Sequence, residues 1–451
     1  MINIDEYLLL EQQVKDINVP TIYGVPIWKL VRTQFRWKYR NTRPFTVKPN
    51  IQIWEIVRNF FVSLIGITKL LLSRRKFDNV FFPHPRLFFV NGNYMERFSD
   101  SLIESAGIKD SSIILERHQN GIHKRPRYHS ELVVYLDFID DLARFLSPFT
   151  KILIKKKYSN QVHDLYLKLN MVFHLDDNSY NNLFYSIVSQ FVILSWLIKP
   201  ILKSISPQRV FFAPRGIFDY TVVFCKKNNI KTIELQHGIV IGKTDLYSGV
   251  YDPRIDPDFF FVFGKDNIGT QYAIPLDRVV NVGFPYKNYI HKINHVVLGE
   301  EVVLVVSEPG ISEKIINVLI EIVKRYPEYF FHVRCHPQEK ISNNLINRIK
   351  GNENIKVVDN KVESFVAISQ YKTIIGEISS VLFEAMSLHK KVGRLNFGGL
   401  VSKETPQLHG GTIINSPEEF DLFMKSPYND ENDSKDLYSD FQPNALNVIG
   451  L

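Results

Sequence analysis

Cysteine is nearly absent: 451 residues hold two, Cys225 and Cys335. That count excludes a disulfide framework and a cysteine-based zinc site, and it fits a reducing compartment. The N-terminal stretch MINIDEYLLLEQQVKD lacks the basic start, long apolar core and small-residue cleavage site of a signal peptide, so the expected location is cytoplasmic. Uncharged apolar runs are short. Residues 51–76 are interrupted by Glu55, Arg58 and Lys69, which leaves less than the roughly 20 residues a bilayer span requires. Residues 183–200 are diluted by Ser186, Ser189, Gln190 and Ser195; they read as a buried helix that Pro200 ends. No short-period repeat is present. Hydrophobic residues at 45% and charged residues at 23% exclude disorder, collagen and coiled coil as descriptions of the whole chain.

Aromatic residues are abundant, with 33 Phe and 21 Tyr, and the formal charge is +8. A basic balance favours an anionic partner such as a nucleotide or a phosphate-rich surface. No nucleic-acid-binding motif accompanies it and the basic residues are spread out, so no nucleic acid is expected. Part of the charge is local. FRWKYRNTR (35–43) interleaves basic and aromatic residues, and the apolar segment 51–76 ends in Arg74, Arg75 and Lys76. Residues 30–76 therefore read as a region bearing an interfacial helix on an anionic membrane surface, the alternative being a helix packed on the protein's own core.

Short β-rich runs alternate with helical patterns. DNVFFPHPR, SSIILER, ELVVYLDF, RVFFAPRG, KTIELQHG, FFFVFG and RVVNVGFP form one series; EVVLVVSEPG, YFFHVRCHP, NIKVVDN and YKTIIGEISS form a second. Alternation of this kind predicts parallel sheets covered by helices, and two series predict two doubly wound α/β domains. The expected organisation is a helical region 1–76, a first Rossmann-like domain 77–288, a second 289–430 and a solvated tail 431–451, with 282–295 as the linker. Ligands of such sheets bind beyond the carboxyl ends of the strands, so the residues just after strands carry the functional weight.

Six strand ends stand out. FHVRCHPQEK delivers Arg334, His336 and Pro337, with donors for a phosphate and a rigid turn. IIGEISSVLFEAMSL places Glu377, Ser379 and Ser380 where a strand gives way to a helix; a serine-capped helix start is an anion site. KTIELQHG brings Glu234, Gln236 and His237 beside Gly238, and the imidazole is a candidate general base. VVLVVSEPG offers Ser307, Glu308 and Gly310 for a diphosphate or for the base. RGIFDY offers Arg215 and Asp219. FFPHPR adds Arg86 for an anionic acceptor; its own HP dipeptide, at His84, reads as coincidence. Taken alone, the HP dipeptide at His336 reads as a simple turn and the serine pair as a simple helix cap, whereas His237 reads as functional. The paired acids of DDNSY (176–180) read as a solvated turn, and no DxD-type motif lies at a strand end, so no metal cofactor is expected.

In this order, strand–QHG, strand–VGFP, strand–SEPG, strand–RxHP and strand–GEISSxxFE resemble the GT-B glycosyltransferases of bacterial surface polysaccharide synthesis. The group includes the capsule-type Kdo and sialic acid transferases and the CDP-glycerol glycerophosphotransferases. The resemblance covers about residues 205–400. It implies that His336, Ser379 and Ser380 bind the donor nucleotide's phosphate, and that His237 lies near the acceptor or acts as base, with Glu234, Asp219 and Glu308 as further candidates. Gln236 stands where the glycerophosphotransferases have Trp, and Glu377 near their usual Asp, which favours a sugar donor over a polyol phosphate. The implied activity is metal-independent transfer from a nucleotide sugar, CMP-linked in preference, to a surface glycan or lipid-linked acceptor. A nucleotide-sugar epimerase or hydrolase, and a non-catalytic subunit of a capsule assembly complex, are the alternatives.

Overall fold

The computed structural model describes the chain except residues 1–2, 41–52, 120, 176–178, 241, 245, 270, 294–295, 308–310, 337–342, 361, 378, 397–409 and 428–435. In chain order its strands are β1 (Thr21–Ile22) and β2 (Val25–Pro26), a hairpin; β3 (Asn79–Phe82); β4 (Phe88–Val90) and β5 (Asn93–Met95), a second hairpin; then β6 (Ser112–Glu116), β7 (Val133–Tyr135), β8 (Arg209–Phe212), β9 (Lys231–Leu235), β10 (Phe259–Val262) and β11 (Val279–Asn281). They are followed by β12 (Val302–Val306), β13 (Phe330–Arg334), β14 (Ile355–Val357), β15 (Thr373–Gly376), β16 (Lys391–Leu395) and β17 (Thr412–Ile414).

Two parallel sheets organise the molecule. The first runs β11-β10-β9-β8-β3-β6-β7 and the second β14-β13-β12-β15-β16-β17. In each, the first strand in sequence sits at the point where the order reverses, between β6 and β8 in one sheet and between β13 and β15 in the other. This is the doubly wound arrangement, and two such lobes around a cleft are the GT-B architecture anticipated from the sequence. Strands covered on both faces are apolar throughout. NVFF of β3 and RVFF of β8 are buried along their whole length, and Phe81 stacks on Phe211 at a ring separation of 4.4 Å.

Several local expectations change. β16 and β17 extend the second sheet beyond the strands read from sequence. Pro200 lies inside the helix Ser179–Ile205 rather than ending it; Ile198, Ile201, Leu202 and Ile205 are all buried, so tertiary packing outweighs the lost backbone hydrogen bond. Ser179 and Tyr180 of DDNSY open that helix. The tail was expected to be solvated, yet its residues 436–451 pack on the first lobe. Leu437, Tyr438, Leu446 and Ile449 are buried there. The Ser439 N–H donates to the Phe263 carbonyl at 2.7 Å, and the Phe284 N–H to the Ser439 carbonyl at 2.8 Å. The approach requires glycine: a Cβ on Gly264 would stand 2.0 Å from the Asp436 carbonyl oxygen.

The lobes meet through aromatic rings. Phe284, on the chain leaving the first lobe, lies 5.4 Å from Phe365 of the second and 5.0 Å from Tyr438 of the returning tail. Rings at these separations gain edge and face interactions beyond simple burial. Rings from both lobes and the tail thus form a junction beside the cleft, which Phe284 and Tyr438 line.

Candidate active site

A cavity of about 1090 Å³ opens between the carboxyl ends of the two sheets. Its first-lobe wall carries His84 and Arg86 after β3, and His237 and Gly238 after β9. Gln119 and Lys124 join them from the loop after β6. The second-lobe wall carries Ser307 after β12, Arg334 and His336 at the end of β13, and Ser379 and Ser380 after β15. β3, β12 and β15 flank the reversals of strand order, which is where open α/β sheets leave a crevice.

Ser379 is the N-cap of the helix Ser380–Ser387, its side chain accepting the Val381 N–H at 3.4 Å. The helix therefore points its unpaired N–H groups and positive dipole end into the cavity. The Arg334 guanidinium is braced by the carbonyls of Asn360 and Val362, at 3.3 and 2.5 Å. Its Nη1 is buried and has no hydrogen-bond partner among the described residues. Ser307 Oγ lies 2.6 Å from Ser312 Oγ. The second-lobe wall thus offers several donors, alongside the carboxylates of Asp359, Glu363 and Glu384.

The facing wall holds two imidazoles. The rings of His84 and His237 lie 5.6 Å apart and nearly parallel, at 15°. Burial pushes His237 down to about 4. Burial, followed by the neighbouring His237, Arg86 and Arg97, pushes His84 down to about 3. Both are neutral at pH 7. The Arg86 N–H donates to His84 Nδ1 at 3.1 Å, which leaves the proton of a neutral His84 on Nε2. His237 Nδ1 lies 2.5 Å from the buried Tyr247 hydroxyl, which also accepts the His237 backbone N–H at 3.3 Å. The first wall therefore offers one imidazole fixed as a donor and one oriented by a phenol.

Between the walls stands an ion cluster. Arg97 of the first lobe reaches Glu363 at 3.0 Å and Glu384 at 3.1 Å, both in the second, while its guanidinium stacks over Phe88 at 4.0 Å. Burial alone would lower the arginine's pKa; the two carboxylates outweigh it and raise it. Burial raises Glu384, opposed by Arg97.

The cleft thus brings together His237, Ser307, Arg334, His336, Ser379, Ser380 and Arg86 from the residues singled out in the sequence. Glu308, Gly310 and Pro337 lie outside the described residues. Glu234, Asp219 and Arg215 are elsewhere. Arg215 pairs with Glu234 at 3.4 Å, Asp219 at 3.6 Å and Asp256 at 2.7 Å, and Lys29 adds a further bond to Asp256 at 2.8 Å. This buried cluster ties the helix Ile27–Tyr39 to the sheet. Burial, opposed by Arg215, lifts both Glu234 and Asp219 to about 7. Gln236 is also fully buried. Its amide donates to the Gly238 carbonyl and to Asn267, at 2.7 and 2.9 Å, and accepts the Phe263 N–H at 2.8 Å, so it shapes the loop that carries His237. Glu377 is buried outside the cavity wall, and its carbonyl accepts from Arg394. Among the residues that sequence reasoning missed, His84 had a signal: its strand–HP run repeats the one at His336. Glu384 had a weaker one, as the closing acid of the GEISSxxFE run; Arg97 and Glu363 had none, and the pairing of the three exists only across the lobes.

No protein-family model matches the sequence, and no curated protein matches it. Solved structures of similar shape include the UDP-GlcNAc 2-epimerase from Methanocaldococcus jannaschii, at 10% identity and a TM-score of 0.47 over 83% of this chain and 98% of that one. The UDP-GlcNAc 2-epimerase from Neisseria meningitidis bound to UDP-GlcNAc is 13% identical, with a TM-score of 0.41 over 82% and 97%. The wall teichoic acid polymerase TagF is 11% identical, with a TM-score of 0.39 over 88% and 87%. At these values the likeness carries no argument about chemistry; the two-lobed α/β architecture rests on the strand orders of the chain itself.

Proposed function

We propose that the chain is a glycosyltransferase that moves a sugar from a nucleotide-activated donor, CMP-linked in preference, to a bacterial surface glycan or lipid-linked acceptor. The observation that carries the reading is the convergence of Ser307, Arg334, His336, Ser379 and Ser380 on one wall of a cavity whose opposite wall holds two neutral imidazoles. The donor wall takes the nucleotide's phosphate. As the bond between the anomeric carbon and the phosphate oxygen breaks, the electron pair stays on that oxygen, and preorganised donors stabilise the charge. His237, in the tautomer whose Nδ1–H donates to the Tyr247 oxygen, takes the proton of the acceptor hydroxyl at Nε2 while the hydroxyl oxygen bonds to the anomeric carbon. His84 donates from Nε2 to the substrate.

A thermal-shift screen against CMP, CDP, UDP and GDP tests the donor site. A nucleotide at 100 times its Kd stabilises the native state by about 2.7 kcal/mol. The expected result is a shift with one base that His336→Ala abolishes. Failure of all four nucleotides to shift the wild type overturns the reading, as does an undiminished shift in His336→Ala. Turnover of nucleotide sugar that does not depend on any acceptor would assign the cavity to epimerisation or hydrolysis instead.

A further inference from the structure

The helix Ile53–Ser73 buries only a narrow stripe: Asn59, Ser63, Ile67 and Leu70. Two of these pin it to the edge of the first sheet. Asn59 donates to the Gly121 carbonyl at 3.0 Å; Ser63 Oγ donates to the Tyr135 carbonyl at 2.6 Å and accepts the Phe138 N–H at 3.0 Å. The rest of the helix is open, with Trp54 75%, Phe61 54%, Ile65 52% and Leu72 77% exposed. The helix Asp137–Phe173 follows β7 and packs beside it, Phe60 meeting Phe138 at 5.2 Å. It continues the face with exposed Phe145, Phe149, Ile152 and Leu153. Contiguous apolar surface of this kind marks a docking face.

Charge identifies the occupant. From Ile56 to Phe77 the sequence contains no acid but has Arg58, Lys69, Arg74, Arg75 and Lys76, all exposed. From Leu142 to His163 there is again no acid, and Lys155, Lys156 and Lys157 are exposed. Two copies of such a face would repel each other. An anionic headgroup layer satisfies both the apolar residues and the cations. The structure corrects the expectation that this segment is too short to span: Ile53–Ser73 is by length and composition apolar enough to cross a bilayer, but its hydrogen bonds to the sheet edge hold it against the lobe.

We infer that this two-helix face docks on an anionic lipid bilayer, lying in the headgroup region. Gly121, the partner of Asn59, belongs to the loop that supplies Gln119 and Lys124 to the cleft. Docking therefore sets the Trp54 end of the helix, and the mouth of the cleft, near the lipid. The docking stands without the transferase reading; joined to it, the acceptor is presented from that surface.

Vesicle co-sedimentation of the full chain tests this. The wild type pellets with vesicles of phosphatidylcholine plus phosphatidylglycerol and stays in solution with phosphatidylcholine alone. Phe61→Glu, Ile65→Glu and Phe149→Glu combined, all at exposed positions, abolish pelleting without lowering Tm or any nucleotide-induced shift. Lys155→Gln, Lys156→Gln and Lys157→Gln combined weaken it about 100-fold. The inference is overturned by a wild type that ignores anionic vesicles, or by a triple-glutamate variant that pellets like the wild type. It is equally overturned by a wild-type dimer that the triple-glutamate variant turns into monomer, or by wild-type protein that alkaline carbonate fails to extract from the vesicles.

Discussion

Arg97→Met lowers the stability of the protein by about 3–5 kcal/mol at pH 7, the usual consequence of removing one partner from a buried ion pair. The guanidinium holds Glu363 and Glu384 together across the interlobe cleft at 3.0 and 3.1 Å. Methionine keeps much of the contact with Phe88 but leaves two carboxylates facing each other without a counter-charge. Urea denaturation at pH 7 reads the loss as a fall in midpoint. The pH dependence then separates this cause from simple loss of packing. Without Arg97, burial and the neighbouring Glu363 charge raise the folded-state pKa of Glu384 further above its unfolded value. Between those two values the folded state binds more protons, so the variant's deficit shrinks as the pH falls from 7 towards 5. A packing defect would be indifferent to pH over that range. Arg97→Lys is expected between the two, because a single ammonium cannot fork to both carboxylates as a guanidinium does. A variant as stable as the wild type at pH 7 would mean that the clasp contributes nothing in solution.

Parallel strands were the legible part of this sequence. Buried on both faces, they appear as unbroken runs such as VFF and VVLVV, bounded by loops. β16 escaped because KVGRL is broken by glycine and arginine. The structure explains the glycine: a Cβ on Gly393 would stand 2.7 Å from the Ile414 side chain. The rule that ligands bind beyond the carboxyl ends of parallel strands also told where the cleft would lie, and the runs after β9, β13 and β15 do line it. Glu234 missed the cleft for a reason present in the alternation itself. Ile233, Leu235 and then His237 follow one parity along β9 and beyond, and Ile233 and Leu235 pack in the core that faces the second lobe. Glu234 has the opposite parity and meets Arg215. Proximity to a strand end selected both residues; only the pleat separates them. The Arg97 clasp was illegible in principle, since Glu384 lies 287 residues away in the chain.

His237→Asn is expected to cut kcat by about 10²–10⁴-fold, the usual share of a general base, while nucleotide affinity changes little because the donor wall lies on the other lobe. Asparagine preserves a polar group beside Tyr247 and keeps the site folded. The pH–rate profile carries the sharper test. Burial sets His237 at about 4, so the base form persists well below neutrality and the acid limb of kcat/KM falls near that value instead of near 6.5. Stability follows with a definite sign. The folded-state pKa lies below the unfolded 6.5, so between the two the unfolded chain binds more protons. The contribution of the neutral, buried ring is therefore complete above pH 6.5 and is lost as the pH falls towards 4. His84, set at about 3 by burial and its cationic neighbours, behaves the same way. The wild type thus loses stability on acidification through that window, and His237→Asn flattens the slope. His84 divides from His237 in the rate, not in the stability. Its Nδ1 is occupied by the Arg86 N–H, so Nε2 carries a proton and cannot remove one. His84→Gln, which keeps a side-chain N–H donor, should therefore retain most of the turnover that His237→Asn abolishes. If instead His84→Gln is the inactive variant and His237→Asn turns over freely, the roles of the two rings are reversed and Tyr247 orients a donor.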